Sequence, residues 1–247
     1  MKTTPDPRLF IGCAGWSLPS QHQHAFPESG THLERYGARF TAVEINSSFY
    51  RPHQRKTYAR WSESVPDDFR FAVKVPKTIT HIERLKNANE LLETFISEAT
   101  GLGEKLGCLL VQLPPSLRFE AAHTESFFRS LAALTSVPVV CEPRHASWFT
   151  LETDAFLLDL QISRVAADPA PVEAAAHPGG WRGLSYYRLH GSPRIYYSAY
   201  SKEFISSIGR RIEADRAEGR TVWSVFDNTA EGAAVADALE LMKYFEN

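Results

Sequence analysis

Glu142 and Arg144 in PVVCEPRH (138–145), Arg188 and His190 in LSYYRLHG (184–191), Glu44 and Asn46 in AVEINSSFY (42–50), Lys74 in RFAVKVPK (70–77) and Gln112 in GCLLVQLPP (107–115) have one thing in common. Each is an ionisable or amide side chain towards the end of a segment otherwise rich in Val, Ile, Leu and aromatics. Carboxylates and imidazoles exchange protons readily, and histidine has an unperturbed pKa of ~6.5, close to neutrality. Guanidinium and ammonium groups hold phosphates or carboxylates, arginine with a bidentate fork. The set points to acid/base chemistry on a small anionic compound. Glu142, His190 and Glu44 are the catalytic candidates, and Lys74, Arg144 and Arg188 the anion-holding ones. Asn46 and Gln112 are placed to orient them. His81, Tyr50, Trp148 and Asn228 complete the ligand-binding candidates at segment ends.

Other chemistries use some of the same residues. Glu44, Glu142 and His190 are possible ligands for Zn²⁺ or Mn²⁺, which would make the chain a metal-dependent hydrolase or isomerase. Lys74, Arg144 and Arg188 on the same face oppose a cation, so no metal is expected. Tyr196, Tyr197 and Tyr200 beside Arg194 in GSPRIYYSAYS (191–201) suit stacking on a base or sugar, as in a nucleic-acid or partner-binding module. A net charge of −2 gives no bulk attraction to polyanions, so that reading is not favoured. In a purely structural reading, Glu44 with Lys74, and Glu142 with Arg144 or Arg188, are self-neutralising pairs. A core built for stability alone would more simply use aliphatics there.

These residues need a scaffold. The chain has 247 residues, 43% hydrophobic and 23% charged, which is an ordinary globular composition. Strand-like segments fall at 10–17, 42–50, 70–77, 107–115, 138–145, 163–168, 184–191 and 221–228. Between them, helical periodicity runs over 32–38, 56–65, 88–106, 125–134, 153–162, 202–219 and 230–245, with Asn89 a candidate cap. Only 169–183, PAPVEAAAHPGGWRG, reads as loop. Repeated βα units in a chain of this length predict one domain over 1–247, an α/β fold of the TIM (β/α)8-barrel type.

No glycine-rich dinucleotide fingerprint, P-loop or G-x-S-x-G elbow is present, so no cofactor is identified. Cys13, Cys108 and Cys141 are widely spaced in apolar runs and read as reduced core thiols. MKTTPDPRLFIG lacks a secretory apolar region, and no run approaches a bilayer span, so a cytoplasmic protein without membrane contact is expected.

Alternate strand residues share a face, and the outer face of a barrel meets helices. That rule sends Glu44, Lys74, Gln112, Glu142, Arg144, Arg188 and His190 inward. The eighth strand is ambiguous: Ser224, Phe226 and Asn228 share one face, and Trp223, Val225 and Asp227 the other. Asn228 is read as inward and Asp227 as outward.

Several blocks in order, VEINSSFYRP (43–52), KVPKTITH (74–81), LGCLLVQLPPS (106–116), CEPRHASW (141–148), YRLHG (187–191) and FDNTAEGAA (226–234), resemble the YecE-like family, domain of unknown function 72. The likeness covers nearly the whole chain. It implies a TIM-barrel fold and supplies no reaction. Family-like positions include Glu44, Asn46, Phe49, Tyr50, Lys74, His81, Gln112, Pro114, Glu142, Arg144, His145, Trp148, Arg188, His190, Gly191 and Asn228. Two departures are Pro143, where the family carries an aromatic or apolar residue, and Asp227, where it tends to Asn.

Overall fold

Residues 8–246, which the computed structural model of the chain describes, begin with strand β1 (Leu9–Ala14). Next come β2 (Ala42–Ile45), β3 (Arg70–Lys74), β4 (Leu106–Gln112) and β5 (Val139–Glu142). Strand β6 has two stretches, Ile162–Arg164 and Ala166–Asp168, and is followed by β7 (Leu184–Leu189) and β8 (Thr221–Phe226). Consecutive strands from β1 to β5 pair in parallel, and β8 returns to pair with β1. The ring closes through β6, whose first stretch pairs with β5 (Val139↔Ile162) and whose second pairs with β7 (Ala166↔Tyr187). This is the TIM-type α/β barrel that the periodicity predicts.

Helices α1 (His32–Gly37), α2 (Arg55–Glu63), α3 (Asn89–Ala99), α4 (Ala121–Leu134), α5 (Leu151–Asp159), α6 (Lys202–Ala217) and α7 (Ala233–Glu246) connect the strands. Local chemistry fixes several starts: Thr31 and Glu34 form a reciprocal capping box at α1, and Thr150 and Ser201 cap α5 and α6 through their hydroxyls. Asn89, expected as a cap, is instead the first residue of α3. That helix is shorter than its periodic segment: from Thr100 the chain tightens into a 3-10 turn, which Gly103, at φ 58°, then breaks. Residues 169–183 carry a single turn, Glu173–Ala176, and a two-residue stretch, Gly179–Gly180, antiparallel to β6. No described helix is long and apolar enough to cross a membrane.

Two apolar layers separate by strand parity. Val43, Ile45, Val73, Leu109, Val111, Leu189 and Phe226 pack outward against the helices, while Ala42, Ala72, Cys108, Leu110, Val140, Tyr186, Trp223 and Val225 fill the lumen. Burying a side chain the size of Val or Leu contributes ~1.5–3 kcal/mol, so each layer fixes which face of a strand points in. Close approach is built in near the first strands. A Cβ at Gly12 would lie 1.9 Å from the Ala42 carbonyl oxygen, so only glycine fits. Beside it the buried Tyr36 hydroxyl accepts from the Cys13 amide (2.7 Å) and donates to the Ala42 carbonyl (3.0 Å). The three cysteines are free and buried.

Two expectations need correction. The strand-like segments overrun: β2 stops at Ile45, β5 at Glu142 and β8 at Phe226, and the chain then turns, as in the short helical turns Ser47–Phe49 and Ala146–Trp148. Several candidate residues therefore sit just past strand ends. On β8, Trp223 and Val225 face the lumen and Phe226 faces the helices, so Asp227 points inward and Asn228 outward, the reverse of the sequence reading. Parity was sound, and the choice of face was not. Bulky Trp223 fills the lumen, whereas polarity had been taken to mark it.

Candidate functional site

Arg188, on β7, is at the centre of the charged end of the lumen. Its Nε donates to Glu44 Oε2 at 3.0 Å and its Nη2 to Glu44 Oε1 at 2.7 Å, the fork geometry of a guanidinium on a carboxylate. Nη1 donates to Glu142 Oε2 at 3.1 Å, and Nη2 also lies 3.0 Å from Asp227 Oδ2. Tyr186 donates its hydroxyl to Glu44 Oε2 at 2.9 Å. Arg188, Glu44 and Tyr186 are completely enclosed. Burial alone would lower the Arg188 pKa, but the charges of Asp227, Glu44 and Glu142 outweigh it and push it well above the ordinary value. With all three nitrogens on protein carboxylates, Arg188 has no fork left for a ligand. Its place in the cluster is to hold three acids together.

Above it, His190 bridges two of those acids, with Nε2 3.0 Å from Glu142 Oε1 and Nδ1 2.9 Å from Asp227 Oδ2. Ionised carboxylates only accept hydrogen bonds, so Nδ1 donates to Asp227, and the role of Nε2 depends on the tautomer. Arg144 sends Nε (2.9 Å) and Nη2 (2.6 Å) to the same Glu142 Oε1. Its Nη2 also lies 3.1 Å from His190 Nε2, which accepts there when the ring proton is on Nδ1. Burial would raise the Glu142 carboxyl, but Arg188, Arg144 and His190 together hold it well below the usual carboxylate range. The same opposition, burial against Arg188 and His190, lowers Asp227.

The outer layer contains Arg144, Lys74, His81, Phe49 and Tyr196. Arg144 is the exposed member of the cluster, its side chain 20% accessible against 1% for Glu142 and Arg188. Lys74, at the end of β3, is 5% exposed and makes no ion pair with any described residue. Its Nζ sits 4.1 Å above the centre of the Phe49 ring. Burial, then the nearby Arg188 charge, lower its pKa to about 8, against the weaker pull of Glu44, Glu142 and Asp227. His81 packs edge-on to Phe49 and bonds Thr80 through Nδ1; burial, then Lys74 and Arg144, lower its pKa. Tyr196 stands edge-on to His190, held at φ 71° by its amide on the His190 carbonyl.

Other sequence candidates lie apart from this centre. Asn228 donates to Asp237 of α7 (2.7 Å) and to the Ser198 carbonyl (2.9 Å). Trp148 is buried in the outer apolar layer, with its indole N–H on the Leu117 carbonyl at 2.9 Å. Tyr50 is exposed, edge-on to Phe49. Gln112 donates to the Leu113 carbonyl, and the buried Asn46 Oδ1 has no described partner. On the loop after β7, the Arg194 guanidinium lies 3.7 Å over the Tyr197 ring and covers one stacking face. Asp227 and Tyr186 are the members that the sequence reading missed. The alternation Trp223, Val225, Asp227 was the available signal for the first.

Among the described residues no group of three or more His, Cys, Asp or Glu side chains is arranged to hold a metal ion. Glu142 and Asp227 do flank His190, but their oxygens face the Arg144 and Arg188 guanidinium groups, whose charge opposes a cation.

A closed ring of parallel strands with charged groups gathered at the strands' C-terminal ends defines a TIM-type α/β barrel with a polar mouth. The model described as "Protein of unknown function DUF72" matches residues 10–247, and the chain belongs to that family. It is 30% identical over 173 residues to the UPF0759 protein YecE of Escherichia coli, an alignment covering 68% of this chain and 61% of YecE. The chain thus spans about three fifths of that relative's length. A DUF72 family protein from Enterococcus faecalis superposes with a TM-score of 0.82 at 20% identity, covering 97% of this chain and 96% of that one. Another from Thermotoga maritima gives 0.78 at 24% identity, covering 97% and 99%. At these identities the superpositions establish the fold.

Proposed function

We propose that the barrel mouth binds a small anionic compound, phosphorylated or carboxylated, and that the groups beneath it exchange protons with that compound. One observation carries the reading: Arg188 is wholly engaged by Glu44, Glu142 and Asp227, while two cations nearer the opening, Lys74 and Arg144, are not. Lys74 has no acid in ion-pair contact and Arg144 is partly accessible, so the positive charge open to a ligand lies on the outer layer. An anion there would neutralise it and replace water around both cations. Glu142 and His190, already sharing a hydrogen bond, are the proton-exchanging pair, with Asp227 and Arg188 holding their geometry.

Calorimetric titration of inorganic phosphate, sulfate and a panel of phosphorylated and carboxylated metabolites tests this. Binding should weaken about tenfold or more in Arg144→Ala and in Lys74→Met, since each loses a charge-assisted contact. If no anion binds at millimolar concentration, or if binding is indifferent to both substitutions, the reading falls.

A further inference from the structure

We propose that Lys74 is a carbonyl-directed nucleophile, and that the anionic compound is an aldehyde or ketone which this lysine captures as an imine. The inference rests on the anion-binding reading above and adds the reacting group. Its geometric basis is the setting of Lys74. Among the lumen-facing basic residues, Arg188, Arg144 and His190 each contact a carboxylate, whereas the Lys74 ammonium rests on the face of Phe49. It stands in a nearly closed site at a strand's C-terminal end, where barrels place their reacting groups. A structural lysine in such a place would be expected to pair, because an unpaired buried charge is costly. An ammonium held out of water and near a second cation gives up its proton more readily than one in water, which makes the free amine available. The lowered value of about 8 agrees with that setting.

The step balances without a further reactant. The ammonium releases a proton, and the amine lone pair attacks the carbonyl carbon. A nitrogen-bound proton then passes to the oxygen, giving a carbinolamine. The released proton returns as that oxygen leaves as water, and the nitrogen lone pair forms the C=N bond. Ammonium plus carbonyl has become iminium plus water, with one positive charge on each side and no change in redox state. The iminium also keeps the positive charge of Lys74 opposite the substrate's anionic group, so the covalent state is electrostatically matched. His190 and Glu142 would then exchange protons at the carbon next to the iminium, which is acidified by it.

Borohydride trapping tests the proposal on the full chain. Pyruvate, 2-oxoglutarate and glycolaldehyde phosphate serve as carbonyl probes, with lactate and glycerol phosphate as anions that lack the carbonyl. Intact mass and peptide mapping should place a reduced adduct on the Lys74 peptide with at least one carbonyl probe and none with the controls. The adduct should be absent from Lys74→Arg, whose cooperative urea unfolding and far-ultraviolet circular dichroism show that the fold is kept. Trapping yield should also rise as pH passes through about 8. Phosphate binding without any Lys74 adduct, or labelling spread over surface lysines without preference, overturns the imine and leaves the anion reading standing. Absence of both binding and adduct overturns the two together.

Discussion

His190 Nδ1 donates to Asp227 Oδ2 across 2.9 Å, joining the ends of β7 and β8 inside the lumen. Asp227 also faces Arg188, so one carboxylate serves a histidine and an arginine that each contact Glu142 as well. The four side chains form a closed circuit of charge, and a change at any one is felt by the others.

Asp227→Asn keeps the shape of this circuit and removes one negative charge. Inorganic phosphate should then bind about fivefold more tightly, about 1 kcal/mol, the effect of one charge ~4 Å away at water-like dielectric. Stability should fall by about 1–3 kcal/mol, because a charged acceptor is lost. Asn228→Ala, one residue on, disturbs contacts with α7 instead and should leave phosphate affinity unchanged. Titration calorimetry and urea denaturation of both variants give the comparison.

Arg188→Met leaves Glu44, Glu142 and Asp227 enclosed without their shared partner. A loss of about 3–5 kcal/mol is expected in chemical denaturation, the usual cost of breaking a buried ion pair from one side. Pairing it with Glu44→Gln should recover part of that loss, and a strictly additive double variant would mean that the two groups are not coupled.

The pH dependence of stability has two limbs of the same sign. Glu142 and Asp227 have folded pKa values lowered by their cationic neighbours, so between those values and the ordinary carboxylate range the unfolded chain holds protons that the folded one lacks. Their stabilising contribution is present above that range and is lost as pH falls. Lys74 behaves alike at the alkaline end: between about 8 and 10.5 the unfolded lysine is protonated and the folded one is not. Stability from this residue therefore rises across that window. Denaturation midpoints should show both limbs, Glu142→Gln flattening the acid one and Lys74→Met the alkaline one.

Incubation with Zn²⁺ or Mn²⁺, followed by desalting and elemental analysis, should leave less than stoichiometric metal. To bind, a divalent ion must displace Arg144 and His190 from Glu142, and Arg188 stays against the same carboxylates. Arg144→Ala removes only the outermost of these cations and should not create a site.

Much of this arrangement was legible before any coordinates. On β2, β3, β4, β5 and β7, largely apolar residues flank each polar one, so parity and burial agree on which side faces the helices. Glu44, Lys74, Gln112, Glu142 and Arg188 could be assigned from that alone. On β8 both faces carry one polar terminal residue and an aromatic, so hydrophobicity could not choose between them; the choice depended on the space that Trp223 finds inside the ring. Pairing was also hidden. Glu44 reaches Arg188, 144 positions away, and not Lys74, because strand stagger and side-chain length decide which groups meet. Trp148 looked like a binding aromatic from its place after a strand, but the turn that follows β5 carries it behind the wall.

The split in β6 gives the charged cluster a second, mechanical role. One stretch of that strand pairs with β5 and the other with β7, and the changeover comes at Val165, whose amide is still on the Cys141 carbonyl. Glu142 at the end of β5, gripped by Arg188 on β7 and by His190 just beyond it, reaches over this seam. The cylinder is therefore closer to a clasped bracelet than to a seamless hoop, and its acids and bases are the pin that keeps the clasp shut.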